Sequence, residues 1–175
     1  TIDSAIGSGN GFATYDPTQQ IYHFYSYNNY PQINQIFRYF HSVDPQTGAQ
    51  TRVPVTGFDD FREFEYDALK QKFYCFRIEY SPTYGYSFGE FNPANGTYQP
   101  LMVGVDGPLN ELSTYNSNQG EMIYIGLDGN GAQTLYTLQT DSLTLTSIPI
   151  LTPGPQNFYD LEYDNNLDRL FAVQG

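Results

Sequence analysis

The sequence has little positive charge, a single cysteine and no tryptophan. Seven Lys and Arg residues stand against 19 Asp and Glu residues in 175, so the formal net charge is −12. A chain this acidic is repelled by phosphate backbones and anionic lipids, which makes nucleic acid and membrane surfaces poor candidate partners. One cysteine cannot form an internal disulfide. No apolar run approaches the roughly 20 residues of a membrane span, so membrane insertion is not expected.

The chain is instead rich in tyrosine (17), phenylalanine (13), glycine (16) and proline (11). Aromatic residues favour β-strands, whereas glycine and proline favour the turns between them. This composition indicates short strands joined by tight turns, and it argues against a disordered chain despite the charge.

An internal repeat is the most informative feature of the sequence. A tyrosine followed directly by Asp or Asn recurs at Tyr15, Tyr66, Tyr115 and Tyr163, at steps of 51, 49 and 48 residues. After a short polar turn, each of these corners leads into a second predicted strand, at 21–25, 73–76, 122–125 and 170–173. When these strands are aligned from their first residues, the same position of the repeat is occupied by His23, Cys75, Tyr124 and Ala172.

A second motif recurs with the same period. The segments Asp44-Pro-Gln-Thr-Gly48 and Asn92-Pro-Ala-Asn-Gly96 lie 48 residues apart, and Thr140–Thr144 is a weaker third copy. Proline presets φ early in a turn and glycine accepts positive φ late in it, so these segments predict hairpins. Each repeat therefore contains four strands, A to D, in antiparallel order.

The Tyr-Asp corner and the Asp-Pro-x-Thr-Gly hairpin, repeated every 48 residues or so over nearly the whole chain, resemble the β-propeller repeat superfamily. The Trp-Asp signature, the kelch double glycine and the sialidase Asp-box are missing, so no specific family is assigned. The resemblance implies one all-β domain over residues 1–175. It would have full blades at about 12–60, 61–110 and 111–157, and a split blade joining 158–175 to 1–8.

The predicted split blade lacks a strand C, which leaves three possibilities open. The chain could close as a compact four-blade ring with one three-stranded blade. Its strand edges could instead pair with another copy of the chain, because an unpaired edge is a template for strand addition. The third possibility is that the chain is a fragment of a longer repeat protein.

The resemblance also implies where ligands bind, because the D–A and B–C loops of propellers crowd one face. Acidic and amide residues gather in these loops, where they could bind Ca²⁺ or sugar hydroxyls, with stacking by Tyr30, Tyr80 or Tyr84. A solvated acidic rim is the alternative. The candidate ligand-binding residues are Asp59, Asp60, Asp106, Asn110, Asn157 and Asp160.

Two further loops carry weaker signals. Asp128-Gly-Asn-Gly131 resembles the start of a calcium loop, with Asp128 and Asn130 as oxygen ligands, although it lacks the later acidic ligand and is equally typical of a plain hairpin. Ca²⁺ is the only cofactor the sequence suggests. Asn95-Gly-Thr97 is an N-glycosylation sequon on an exposed hairpin, which points weakly to secretion.

No catalytic group stands out from its context. His23 is expected in the core, His41 beside Asp44 on a surface hairpin, and Cys75 as a small buried hydrophobe. With only Lys70 and Lys72 available to guard strand edges, the sequence predicts a non-enzymatic interaction, adhesion or assembly module, extracellular or periplasmic. Its expected partner is itself, through strand-edge pairing, or another protein or a glycan. A glycan- or calcium-binding lectin and, less favoured, a propeller hydrolase or lyase are the alternatives.

Overall fold

The computed structural model describes residues 13–30, 35–55, 60–80, 84–151 and 158–174. Within these ranges the chain forms fourteen strands, and it forms no helix that could cross a membrane. The strands are β1 (Ala13–Asp16), β2 (Ile21–Tyr30), β3 (Gln35–Val43), β4 (Gln50–Pro54), β5 (Phe61–Asp67), β6 (Lys72–Glu79), β7 (Gly85–Asn92), β8 (Thr97–Val105), β9 (Pro108–Asn116), β10 (Glu121–Leu127), β11 (Gln133–Gln139), β12 (Thr144–Pro149), β13 (Phe158–Asp164) and β14 (Arg169–Gln174).

The strands pair in chain order into four antiparallel sheets. Strands β1–β4 form sheet I, β5–β8 form sheet II, β9–β12 form sheet III, and β13 pairs with β14 in sheet IV. This confirms the predicted all-β class and its four-stranded antiparallel units. The exact repeat boundaries and the joining of residues 1–8 to 158–175 stay predictions, because residues 1–12 lie outside the described ranges.

The acidic residue of each Tyr-Asp corner forms the turn between the first two strands of its sheet. Asp16 Oδ1 accepts hydrogen bonds from the backbone N–H groups of Thr18 and Gln19, at 2.8 and 3.0 Å. Asp67 and Asp164 accept the same two bonds in their own turns. A short acidic side chain that bonds the backbone two and three residues ahead explains why Asp recurs directly after the tyrosine.

The hairpins between the third and fourth strands use positive φ at one position. Gly48 and Gly96 both have φ of +70°, and Leu143 occupies the matching position of sheet III with φ of +55°. The Leu143 N–H donates to the carbonyl of Gln139 at 2.9 Å, so Gln139, rather than Thr140, matches the first residue of the other hairpins. A side chain at this position is strained, which explains why the third copy of the motif is weaker in sequence.

Neighbouring sheets pack face to face in the order I, II, III, IV. The core between sheets I and II is almost wholly aromatic, and the core between sheets III and IV is mostly aliphatic. The first contains Tyr25, Phe40, Phe61, Phe64, Phe73 and Phe91; the second contains Tyr74, Phe76, Phe88, Tyr115, Met122 and Tyr124; the third contains Leu112, Ile123, Ile125, Leu161 and Tyr163.

The strand register shows that His23 was aligned with the wrong residues of the other repeats. Each corner tyrosine pairs with the residue seven positions later in the pairs Tyr15–Tyr22, Tyr66–Phe73, Tyr115–Met122 and Tyr163–Leu170. His23 therefore matches Tyr74, Ile123 and Phe171, and not Cys75. As expected it is buried, with its ring centroid 5.5 Å from Phe40 and 4.7 Å from Phe73.

A tyrosine hydroxyl joins sheet II to sheet I, and another joins sheet III to sheet II. Tyr66 donates to Asp16 of sheet I, and Tyr115 donates to Asp67 Oδ2 of sheet II at 2.8 Å. Burial, aided by the bond to Asp16, raises the pKa of Tyr66 to about 12, so the hydroxyl stays a donor. Tyr163 differs, since it donates to Asp168 of its own sheet. Two of the three junctions between sheets therefore each contain a Tyr–Asp hydrogen bond.

Tyr115→Phe is expected to lower the free energy of unfolding by about 2 kcal/mol, because the bond it removes is made to a fully buried carboxylate. Tyr163→Phe is the matched control, since the lost partner Asp168 is exposed and can bond water instead. Urea unfolding followed by circular dichroism measures both. If both variants lose the same free energy of unfolding, the bond between sheets II and III stabilises the fold no more than the bond within sheet IV does.

Candidate functional site

The first strands of the four sheets surround a central cavity of about 820 Å³. Strand β5 contacts β1 on one side and β9 on the other, and β9 contacts β13. Tyr15 and Tyr22 form one wall, with ring centroids 4.7 Å apart, while β13 forms another. Successive repeats therefore bring residues that are distant in sequence to a single cavity that is open to solvent on one side.

Four carboxylates line this cavity. Glu63 and Glu65 come from β5, and Asp160 and Glu162 come from β13. Glu63 is buried, whereas Asp160 and Glu162 are exposed within the cavity. The pairing of β5 with β6 is interrupted between Arg62 and Glu65, and Glu63 has φ of +51°. Bulges of this kind re-aim side chains and are common beside functional sites.

Ser113 of β9 joins the two glutamates of β5. Its Oγ lies 3.0 Å from Glu63 Oε2 and 2.7 Å from Glu65 Oε1. A hydroxyl has one proton to donate. Ser113 either shares it between the two carboxylates or donates it to one of them while the other is protonated and donates to the hydroxyl oxygen. The arrangement therefore accommodates one added proton on this pair of carboxyl groups.

The electrostatics of the cavity agree with a retained proton. Burial raises the pKa of Glu65 to about 7, an effect that the bond from Ser113 opposes and the charge of Glu162 reinforces. The walls of the cavity partly desolvate Glu162, and this effect raises its pKa, helped by the charges of Asp160 and Asp164. The cavity thus becomes more negative as the pH rises through neutrality, and it is suited to cationic groups.

The predicted ligand-binding residues are only partly brought together. Asp160 lines the cavity, but Asp60 and Asp106 do not. Asp60 accepts bonds from Arg38 at 2.9 Å and from Tyr80 at 2.7 Å, and Asp106 accepts one from Tyr136 at 3.0 Å. Asp59 and Asn157 lie outside the described residues, and the side chains of Asn110 and Tyr30 lie outside what the structure describes.

The loop at Asp128 is held by its own backbone. Asp128 Oδ1 accepts hydrogen bonds from the N–H groups of Asn130 and Ala132, at 2.9 and 2.8 Å, and these bonds lower its pKa. Among the described residues, no three His, Cys, Asp or Glu side chains are grouped to hold a metal. Binding of Ca²⁺ by Asp128 and Asn130 stays a prediction.

The sequon at Asn95 lies on an exposed turn. Asn95 Oδ1 accepts bonds from the N–H and the hydroxyl of Thr97, at 3.1 and 2.7 Å. Glycosylation of Asn95 and the extracellular or periplasmic location both stay predictions.

His41 is not the surface residue that the sequence predicted. It is buried, its Nε2 lies 2.8 Å from Ser26 Oγ, and its Nδ1 accepts a bond from Gln50 Nε2 at 2.8 Å. The spacing is that of a serine–histidine pair, but the third member is an amide donor. Both side chains of the pair are buried, and no carboxylate orients the ring as the acidic member of a catalytic triad does.

Sequence reasoning missed Glu63, Glu65, Ser113 and Glu162. A signal was present, since alternate acidic residues precede the corner in Phe61-Arg-Glu-Phe-Glu-Tyr-Asp67 and Phe158-Tyr-Asp-Leu-Glu-Tyr-Asp164. Alternate residues of a strand share one face, so acids in two first strands could have indicated an acidic central cavity.

The sheets and their central cavity define a β-propeller-like repeat domain. No protein-family profile and no curated protein matches the chain. Solved structures similar to it include the β-propeller domain of the Trilobed protease from Pyrococcus furiosus, with a TM-score of 0.52 and 7% identity over 83% of this chain and 43% of that one. Another is Pyrococcus horikoshii acylaminoacyl peptidase, with a TM-score of 0.52 and 7% identity over 85% of this chain and 26% of that one.

These likenesses confirm the predicted propeller-like fold, and at such low identity they show the fold alone. This chain spans less than half the length of either structure. Two other predictions are contradicted. The structures that resemble the chain come from peptidases. The comparisons therefore oppose the prediction of an adhesion or assembly module and the prediction that the protein is not an enzyme. Nothing in them supports adhesion, self-assembly or an extracellular role.

Proposed function

We propose that this chain is the propeller domain of a peptidase or a related hydrolase, and that its central cavity holds a segment of the peptide substrate. The observation that carries the proposal is the carboxylate-lined cavity at the centre of a fold that resembles the propellers of two peptidases. The peptide-cleaving groups would belong to a separate catalytic unit. The described residues form two serine–histidine pairs, Ser26–His41 and Ser42–His23, and in neither does a carboxylate hydrogen-bond the second ring nitrogen.

The size of the cavity suits a short peptide segment. Its volume of about 820 Å³ falls within the 300–1,000 Å³ that is typical of ligand pockets. The tyrosine wall offers apolar contact, and carboxylates on two walls can accept hydrogen bonds from backbone N–H groups. An extended chain of a few residues therefore finds both kinds of contact.

The charge of the cavity selects among peptides. Glu63 and Glu65 face a space shared with Asp160 and Glu162, and no Lys or Arg is among the residues that line it. A lysine or arginine side chain, or a peptide N-terminus, would be attracted there, whereas a glutamate would be repelled. The proposal therefore specifies a basic peptide segment.

Binding of a fluorescent lysine-rich peptide, measured by anisotropy, tests this function. The double variant Glu65→Gln/Glu162→Gln is expected to weaken binding at least about tenfold at pH 8, where both carboxyls are ionised in the wild type, which corresponds to about 1.4 kcal/mol. A glutamate-rich peptide of equal length should bind neither protein.

The control variant carries the same kind of charge change away from the cavity. Glu90 pairs with Lys72 on the surface at 2.6 Å, so Glu90→Gln should leave peptide affinity within about twofold. If the wild type binds both peptides equally, or if Glu90→Gln weakens binding as much as the cavity variant does, the proposed function is wrong.

A further inference from the structure

The face of sheet I that borders the central cavity carries two exposed tyrosines whose counterparts in sheets II and III are buried. Tyr15 and Tyr22 are 40% and 48% exposed. At the matching positions of sheets II and III, the side chains pack against the preceding sheet and are 0–7% exposed. Those matching residues are Tyr66, Phe73, Tyr115 and Met122. In sheets II and III this surface packs against the preceding sheet. In sheet I the same surface is exposed.

The outward face of sheet IV shows the complementary feature. Phe171 and Val173 are 49% and 55% exposed. Their counterparts in sheets II and III pack against the following sheet and are 0–6% exposed. These counterparts are Tyr74, Phe76, Ile123 and Ile125. Sheet IV therefore presents the surface on which the next sheet would pack.

The hydrogen bonds between sheets repeat the same complementarity. In the described junctions, Tyr66 donates to Asp16 and Tyr115 to Asp67. Tyr15 of sheet I occupies the position of the donor tyrosines Tyr66 and Tyr115. Asp164 of sheet IV occupies the position of the acceptors Asp16 and Asp67. Oδ1 of Asp164 is engaged by its own turn, as in Asp16 and Asp67, and it is Oδ2 of Asp67 that receives the tyrosine.

We infer that the face of sheet I and the face of sheet IV bind each other between two copies of the chain, head to tail. Within one copy both faces are exposed. Tyr15 and Tyr22 border the central cavity, whereas Phe171 and Val173 are not among the described residues that line it. The partner is a second copy because the two faces are the two halves of the contact between consecutive sheets. The sheet IV face corresponds to the surface of the earlier sheet, and the sheet I face corresponds to the surface of the later sheet.

The assembly that follows is compatible with the fold. Two copies supply eight sheets, which is at the upper end of the four to eight blades usual for propellers. A heterologous contact closes into a ring where its rotation permits and otherwise extends into longer rows. The contact differs from the strand-edge pairing predicted from the sequence, since it uses sheet faces. It covers Tyr15 and Tyr22, so a second copy and a peptide in the central cavity would compete for the tyrosine wall.

Light scattering coupled to gel filtration tests the inference with two complementary variants. Tyr15→Asp disables the sheet I face and Phe171→Asp disables the sheet IV face, each by placing a charge in an apolar contact. We expect the wild-type mass to rise with concentration and each variant alone to be a monomer. An equimolar mixture of the two should form a dimer, because one intact face of each kind remains.

A control variant and a milder variant complete the experiment. Ile148→Asp lies on β12, where Ile148 is 64% exposed and outside both faces, so it should associate like the wild type. Tyr15→Phe, which removes only the hydroxyl, should weaken association about tenfold. Tyr22→Asp replaces Tyr15→Asp if circular dichroism shows that the latter is unfolded. A wild type that is monomeric throughout, or a mixture that stays monomeric, would overturn the inference.

Discussion

Phe40→Ala is expected to lower the free energy of unfolding by about 3–5 kcal/mol. Phe40 is 1% exposed and lies at the centre of the core between sheets I and II. Its ring centroid is 5.4 Å from Phe64, 5.3 Å from Phe73 and 4.8 Å from Phe91. Truncation removes ring contacts from three neighbours and leaves a cavity, because rings held in strands of two sheets cannot collapse into the space.

Chemical denaturation followed by circular dichroism measures this loss. Ile148→Ala is the control, since Ile148 is exposed on β12 and its truncation should change the free energy of unfolding by about 0.5 kcal/mol or less. Similar losses for the two variants would contradict the aromatic core that joins sheets I and II.

Glu65→Gln is expected to make the protein more stable than the wild type above pH 7 and to flatten the fall of stability with rising pH. The pKa of Glu65 is about 7 when folded, against an ordinary value of 4.5. Between these values the folded chain binds the proton more tightly than the unfolded chain does. The stability from Glu65 is therefore fully present below pH 4.5 and is lost as the pH rises through 7, by an amount on the order of 3 kcal/mol before screening by water in the cavity reduces it.

Unfolding free energies measured from pH 4.5 to pH 8 test this expectation. The glutamine keeps the size of the side chain and an oxygen that can accept from Ser113, so the main change is the loss of titration. Glu90→Gln, on the surface, should leave the slope with pH unchanged. Parallel curves for Glu65→Gln and the wild type would show that Glu65 ionises normally in the folded protein.

The fold could be predicted because its signals are local. The Tyr-Asp corner and the Pro-Gly hairpin each specify a turn within five residues, and their recurrence defines the sheets without knowledge of any contact. The alignment of the second strands failed by one residue at His23, because both faces of those strands are apolar. In such strands the turn sets the register, and the hydrophobic pattern does not reveal a slip.

The central cavity could not be predicted to the same degree. Glu65 and Glu162 meet across it although they belong to different repeats, and their raised pKa values depend on burial that no local pattern reports. The sequence directed attention to loops, where Asp60 and Asp106 bond to neighbouring side chains instead. His41 was misplaced for a similar reason, since its contact with Ser26 depends on the pairing of β2 with β3.

The predicted function failed because it rested on the absence of recognisable catalytic residues and on the scarcity of lysine at strand edges. Propellers accompany many activities, so the lack of a nucleophile in the repeat says nothing about a catalytic unit that works beside it. The substrate-holding role proposed above rests on the acidic cavity instead, in a fold similar to that of structures from peptidases.

Photo-cross-linking of a lysine-rich peptide, with the attachment points mapped by mass spectrometry, tests the central claim most directly. The account predicts cross-links in β5, β9 and β13, the strands that supply Glu65, Ser113 and Glu162, and their loss in the Glu65→Gln/Glu162→Gln variant. Cross-links confined to the outer strands β4, β8 and β12, or an equal yield from a glutamate-rich peptide, would contradict it.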